Sequence, residues 1–118
     1  MVKVMWFLKR AEHLSLAEFR AWWLDHMHLV ASLQRPHLKR YVVNVRVDDD
    51  ELPSRPGDPF DWDGCAEQWF EDEAAFNVAY ARATPSPSRV DTLKHTSRFA
   101  RMVVSEHEVP LYGQQVAE

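Results

Sequence analysis

Hydrophobic and polar positions alternate with a period of two along residues 41–47. Tyr41, Val43, Val45 and Val47 share one parity; Val42, Asn44 and Arg46 share the other. A β-branched run with this period predicts a strand. Two more apolar runs, Val2 to Leu8 and Cys65 to Phe70, read the same way, and Arg98 to His107 reads as a last strand. Between them the period changes to that of a helix. Phe19, Trp23, His26, Val30 and Leu33 fall on one stripe. Ser15 with Glu18 forms a capping box, Leu14 with Phe19 a hydrophobic staple, and Pro36 ends the helix near Leu33. Asp72 caps a second helix whose stripe is Phe76, Ala79, Tyr80 and Ala83. Residues 84–88 break it, and Arg89 to His95 forms a short third helix. The order β-α-β-β-α-(α)-β predicts an α+β, ferredoxin-like domain.

The strands carry a second message. Helices in such a fold cover one sheet face, yet neither Tyr41–Val47 nor Cys65–Phe70 has a clean polar face. The uncovered face therefore needs a cover. In a short chain the simplest cover is a second copy, packed sheet to sheet as a dimeric α/β barrel. Residues 48–62 are acidic and hold three prolines. They read as a loop insert that acts as a cover or an interface arm, anchored by Phe60 and Trp62. Residues 110–118 read as a tail.

Composition narrows the class. With 118 residues, 46% hydrophobic and 12% aromatic, residues 1–118 make one domain with a real core. A formal charge of -4 argues against nucleic acid. No run approaches the roughly 20 apolar residues of a membrane span. The single cysteine, Cys65, and the absence of a signal-like N-terminus fit a cytoplasmic protein. The three glycines form no phosphate loop. No His/Cys spacing suggests a metal, and nothing implies a cofactor.

The pieces Lys3-Val4-Met5-Trp6-Phe7-Leu8-Lys9-Arg10, Trp22-Trp23 with a following histidine, Pro36-His37-Leu38-Lys39-Arg40-Tyr41-Val42-Val43-Asn44 and Val103-Val104-Ser105-Glu106-His107 resemble the EthD family of dimeric α/β barrel proteins. The most specific piece is Gly64 to Phe70, which matches Gly-x-Ala-Glu-x-Trp-Phe. The resemblance implies a homodimer. It also implies kinship with barrels that serve as methylmuconolactone isomerases, polyketide cyclases, polyketide dehydratases and small cofactor-free monooxygenases. Such a fold does not fix the reaction.

The family's helix histidine corresponds either to His26 or to His28. Periodicity favours His26, which shares the apolar stripe, whereas His28 falls on the far side with Ala17, Ala21 and Asp25. His26 is then a core histidine bonded to a backbone carbonyl, a metal ligand, or a general base or substrate-orienting donor. The last is the catalytic candidate, expected near Asn44 or Arg46. Trp23, Tyr41, Asn44, Arg46, Trp69 and His95 are the candidate substrate-binding residues, although Tyr41 lies on the opposite strand face from Asn44 and Arg46. Asp91 and His95, at i and i+4, can meet on one helix face. Glu67 on a buried strand needs a cation, with Arg46 or Arg101 as the expected partner. These parts suit a cofactor-free acid/base enzyme of isomerase, dehydratase or cyclase type. It would act on a small aromatic, polyketide-like or lactone substrate in an apolar cleft. The alternative is a non-catalytic accessory or ligand-binding protein of an oxygenase or degradation pathway.

Overall fold

The computed structural model describes residues 1–47, 61–81 and 86–113. Seven elements follow one another: β1 (Val2–Arg10), α1 (Leu16–Leu33), β2 (Leu38–Val45), β3 (Gly64–Phe70), α2 (Glu73–Tyr80), α3 (Pro87–His95) and β4 (Thr96–Val104). The strands form one sheet in the order β2-β3-β1-β4, with every neighbouring pair antiparallel. This is the ferredoxin-like α+β fold that the alternation predicts. No helix among the described residues is long and apolar enough to cross a membrane.

Local chemistry sets the helix starts. Ser15 Oγ accepts the Glu18 backbone N–H at 3.1 Å, and the Glu18 carboxylate accepts the Ser15 N–H at 3.0 Å, completing the capping box. Leu14 packs against the cluster that holds Phe19. Asp72 accepts the Ala75 N–H at 2.8 Å to open α2, and Ser86 caps α3, which has proline at its first position. Some boundaries differ from the sequence pattern. β2 begins at Leu38 and ends at Val45, so Arg46 and Val47 lie beyond it. α3 begins at Pro87 and runs directly into β4, which starts at Thr96 rather than Arg98. Ala83, Phe60 and most of the 48–62 insert lie outside the described residues.

Register sorts the side chains into two faces. Val45, Gly64, Leu8 and Phe99 form one row facing the helices; Val43, Ala66, Trp6 and Arg101 form the next. Phe19, Val4 and Phe70 are fully buried on this side. Each contributes roughly 1.5–3 kcal/mol, so α1 and the central strands carry most of the core. By contrast α3 contains no buried residue. Gly64 is required by a close approach. A Cβ there would fall on the Asn44 carbonyl oxygen and within 2.6 Å of the Trp23 ring. This explains why the Gly64 to Phe70 motif opens on glycine.

The other face is open. Its rows are Arg40, Trp69, Lys3 and Val104; Val42, Glu67, Met5 and Met102; and Asn44, Cys65, Phe7 and Ala100. The cation beside Glu67 is Lys3, at 3.6 Å, and not Arg46 or Arg101 as the sequence suggested. Met5 stands directly opposite Glu67 and Lys3 is the diagonal neighbour on the same face, while Arg101 belongs to a helix-facing row. The Trp69 ring lies between Lys3 and Arg40, each 4.5 Å from its centroid, and its indole N–H donates to Glu106 at 2.9 Å. At the far end Trp62 meets Phe7, with ring centroids 5.9 Å apart, and the Arg98 guanidinium stands 4.4 Å over it. The last residue of the insert's aromatic pair is thus held against the open face. Cys65 stands between; burial first, and then the Glu67 charge, push its thiol up to about 11. It is a half-buried apolar side chain rather than a nucleophile.

Candidate functional site

A cavity of about 380 Å³ opens between the helices and the sheet. Trp6, Leu8, Ala66, Tyr41 and Phe99 form its sheet wall. From α1 come Trp23, His26 and Val30; from α3 come Ser88, Arg89 and Thr92. The cavity exists because the wall combines small and planar groups. Ala66 leaves room over β3, and the large rings stand around its edge.

His26 is 6% exposed and lies on this wall. Its stripe partners Phe19 and Trp23 are buried with it, and His28 is exposed, as the helical period implies. His26 Nδ1 stands 2.6 Å from Asp91 Oδ2. An ionised carboxylate can only accept, so Nδ1 carries a proton and Nε2 holds the lone pair of the neutral ring. Nε2 lies 3.2 Å from Thr92 Oγ1. That hydroxyl has a shorter contact, 2.9 Å, to the Ser88 carbonyl and donates there. The Nε2 lone pair is therefore left for a proton from a molecule in the cavity. Once protonated, Nε2–H can donate to Thr92 Oγ1, which still has acceptor capacity. Neither ring nitrogen is tied to a backbone group, which separates His26 from an ordinary core histidine.

Asp91 is set by several donors. Trp22 Nε1 donates to the same Oδ2 at 2.9 Å, and His95 Nδ1, bonded to the Asp91 backbone carbonyl at 2.8 Å, also lies 3.3 Å from Oδ1. Partial burial opposes its ionisation, but hydrogen bonds from His26 and Trp22, with the nearby imidazoles, outweigh it. The carboxyl is held below its ordinary 3.8. A carboxyl depressed by folding contributes stability that is complete above the ordinary value and is lost as pH falls through the folded one. The part of the α1–α3 contact that depends on the ionised Asp91 is therefore lost in the acid range. Trp22 stacks between the two histidines, 4.6 Å from the His26 ring and 4.7 Å from the His95 ring.

A second polar chain forms the opposite end. Trp6 Nε1 donates to Tyr80 Oη at 2.9 Å, the Tyr80 hydroxyl donates to Gln68, and Gln68 Nε2 donates to Gln34 Oε1 at 2.9 Å. Burial raises the Tyr80 phenol above its ordinary range, although hydrogen bonds from Trp6 and Gln34 oppose the shift. Burial, followed by the proximity of Tyr80, raises Tyr41 further. Both phenols stay neutral donors at physiological pH.

The candidates read from the sequence divide between two faces. His26, Trp23 and Tyr41 line the same cavity. Trp69 and Asn44 lie in open-face rows, with the Asn44 amide donating to the Cys65 carbonyl at 2.9 Å. Arg46 lies past the end of β2, with Nη1 4.0 Å from Asp63 Oδ1. The expectation that Asn44 or Arg46 stands beside His26 is not met: parity puts the Asn44 side chain on the open face, and Arg46, past the end of β2, turns its guanidinium to Asp63 and the Trp62 carbonyl while its own carbonyl accepts from Arg20 of α1 at 3.0 Å. His95 stacks behind Trp22 and pairs with Asp91, one shell away from the cavity. Asp91, Thr92 and Arg89 are the site residues that sequence reasoning did not join to His26. The Asp91–His95 spacing was the visible signal, but the separation of 65 positions between His26 and Asp91 hid their contact. Among the described residues no group of three His, Cys, Asp or Glu side chains is arranged to hold a metal ion.

Solved structures share this architecture. SnoaB, a cofactor-independent oxygenase from Streptomyces nogalater, is 16% identical with a TM-score of 0.62, over 92% of this chain and 94% of that one. A protein of Arabidopsis thaliana is also 16% identical, with a TM-score of 0.61 over 94% of this chain and 100% of its own. A dimeric ferredoxin-like protein of Bacteroides fragilis is 14% identical, with a TM-score of 0.59 over 89% and 95%. At these identities the likeness concerns the fold. No curated protein matches the chain. The EthD domain model matches residues 11–88, a span that includes α1 with His26, the Gly64 to Phe70 motif and the start of α3. With more than half of its length matched, this chain belongs to the EthD domain family.

Proposed function

We propose that this protein is an acid/base enzyme of isomerase, dehydratase or cyclase type, working without a resident cofactor. Its substrate is a small aromatic, polyketide-like or lactone molecule. The observation that carries the reading is the Asp91–His26 pair on the wall of an aromatic-lined cavity, with the second ring nitrogen 3.2 Å from a Thr92 hydroxyl that donates elsewhere. His26 Nε2 takes a proton from carbon next to a carbonyl. Asp91 holds the ring in the required tautomer and balances the imidazolium that forms. Thr92 accepts the new N–H. The Tyr41 hydroxyl lines the same cavity as a neutral donor suited to the carbonyl oxygen, where charge develops. The proton then returns from Nε2 to a different atom. The likeness to a cofactor-independent oxygenase supports chemistry done by side chains and substrate alone.

The test uses α-proton exchange of 2-tetralone in D2O, followed by NMR. Wild type should accelerate exchange over buffer, and Asp91→Asn should lower that rate by roughly 10- to 100-fold. The same variant should lose the Nδ1–H tautomer in a ¹⁵N correlation spectrum. Binding of 2-tetralone with no acceleration would leave a carrier or accessory protein instead.

We further propose a homodimer formed through the open face. Met5, Phe7, Val42 and Met102 lie there between charged rows, and Met102 is 47% exposed. The Bacteroides fragilis relative, dimeric with the same fold, supports a second copy as the cover. Light scattering at micromolar concentration should give twice the 13.8 kDa chain mass; a monomer rejects the arrangement.

A further inference from the structure

The cavity holds a cation that the acid/base scheme does not use. Arg89 lines it, with its guanidinium 4.9 Å from the Phe99 ring and 5.6 Å from the Trp6 ring. Arg101 stands on the other side of this wall, 5.5 Å from Trp6 and 5.4 Å from Tyr80. The whole chain has a formal charge of -4. Yet among the described residues neither arginine has a carboxylate partner. The nearest acid on the same helix, Asp91, is committed to His26, Trp22 and His95. Aromatic faces hold the two guanidinium groups in place but do not neutralise them.

From this arrangement we propose that the cavity selects planar aromatic molecules carrying a negative charge, a carboxylate or an ionised enol, with the charge placed on Arg89. The inference rests on the enzymatic reading of the same cavity and narrows its substrate class. A guanidinium stacked on rings presents its N–H edge to a ligand lying against those rings, the geometry that suits a bidentate oxyanion. The start of α3 lies at the same place, with Ser86 and Ser88 on the lining, so the helix dipole adds the same sign. Placing the anion at Arg89 also sets the orientation of the ligand. His26 lines the same cavity, so a ligand anchored at Arg89 is confined beside it. An enolate formed by proton loss to His26 Nε2 is a further negative charge, which the same cation stabilises.

Titration of the tryptophan fluorescence at pH 8 with 2-naphthoate and its neutral isostere 2-naphthamide tests the proposal. Wild type should prefer the acid by roughly tenfold, the modest factor reflecting a partly solvated guanidinium. The preference should shrink as salt is raised. Arg89→Gln should bind both compounds alike, at the affinity of wild type for the amide, and Arg89→Lys should recover part of the preference. Equal binding of acid and amide by wild type overturns the inference and leaves the aromatic cavity standing. So does a preference that survives in Arg89→Gln. If neither compound binds wild type, the cavity reading itself fails and this inference goes with it. The wild-type comparison decides the matter even where a variant does not fold.

Discussion

His26→Ala should abolish wild-type acceleration of 2-tetralone exchange, a loss of roughly 10²- to 10⁴-fold, the range a positioned general base contributes. Affinity for 2-naphthamide should change by less than about threefold, because the apolar walls, Trp6, Trp23 and Phe99, remain. A loss of rate with affinity kept is the mark of a group that acts on the reacting atoms. His26→Asn separates ring chemistry from cavity filling, since it keeps a polar side chain but has no basic nitrogen. The outcome that rejects the role is exchange within a few-fold of wild type in both variants. His28→Ala serves as the control: it is exposed on the opposite side of α1 and should leave exchange unchanged.

The second large effect concerns stability. Asp63 is fully buried. Its carboxylate accepts the Arg10 backbone N–H at 2.8 Å and the Arg10 guanidinium at 2.8 Å. Its own backbone joins both neighbouring segments: the N–H donates to the Leu8 carbonyl at 2.9 Å, and the carbonyl accepts the Arg46 N–H at 2.8 Å. One residue thus fastens the end of the insert to β1 and to the segment after β2. Asp63→Ala removes the acceptor and leaves a backbone donor and a guanidinium without it. Arg10 is about one-third exposed and recovers some hydration. The expected loss is therefore about 2–3 kcal/mol, below the range for a fully buried pair. It should lower the thermal midpoint by roughly 10 °C. Asp63→Asn keeps one acceptor for the Arg10 N–H and should lose about half as much. A midpoint within 2 °C of wild type for Asp63→Ala, where about 2 °C is well under 1 kcal/mol, rejects this account.

The elements were legible because each rests on local chemistry. The Ser15–Glu18 box, the Asp72 cap and the β-branched run at Tyr41 act within a few residues of themselves. His26 was legible for the same reason, since its stripe with Phe19 and Trp23 is a property of one helix. Strand parity also held, separating Tyr41 from Asn44. What the sequence hid is non-local. The Asp91 partner of His26 depends on how α3 crosses α1, and the Lys3 partner of Glu67 depends on register across β1 and β3. Arg89 looks like an ordinary charged residue on a polar helix until Trp6 and Phe99 are brought beneath it. Phe60, proposed with Trp62 as an anchor, lies outside the described residues, and only Trp62 is placed on Phe7.

The division of labour between the helices has a consequence for how new activities can arise. The base sits on α1, whose Phe19 and Trp23 the core cannot spare. The carboxylate, the hydroxyl and the cation, Asp91, Thr92 and Arg89, all sit on the nine-residue α3, which holds no fully buried residue. Residues 87–95 therefore behave as an exchangeable cassette. Their sequence can drift, or be shuffled in a library, at little expense to folding, and each variant presents the same histidine with different helpers. Directed evolution of this scaffold should begin there.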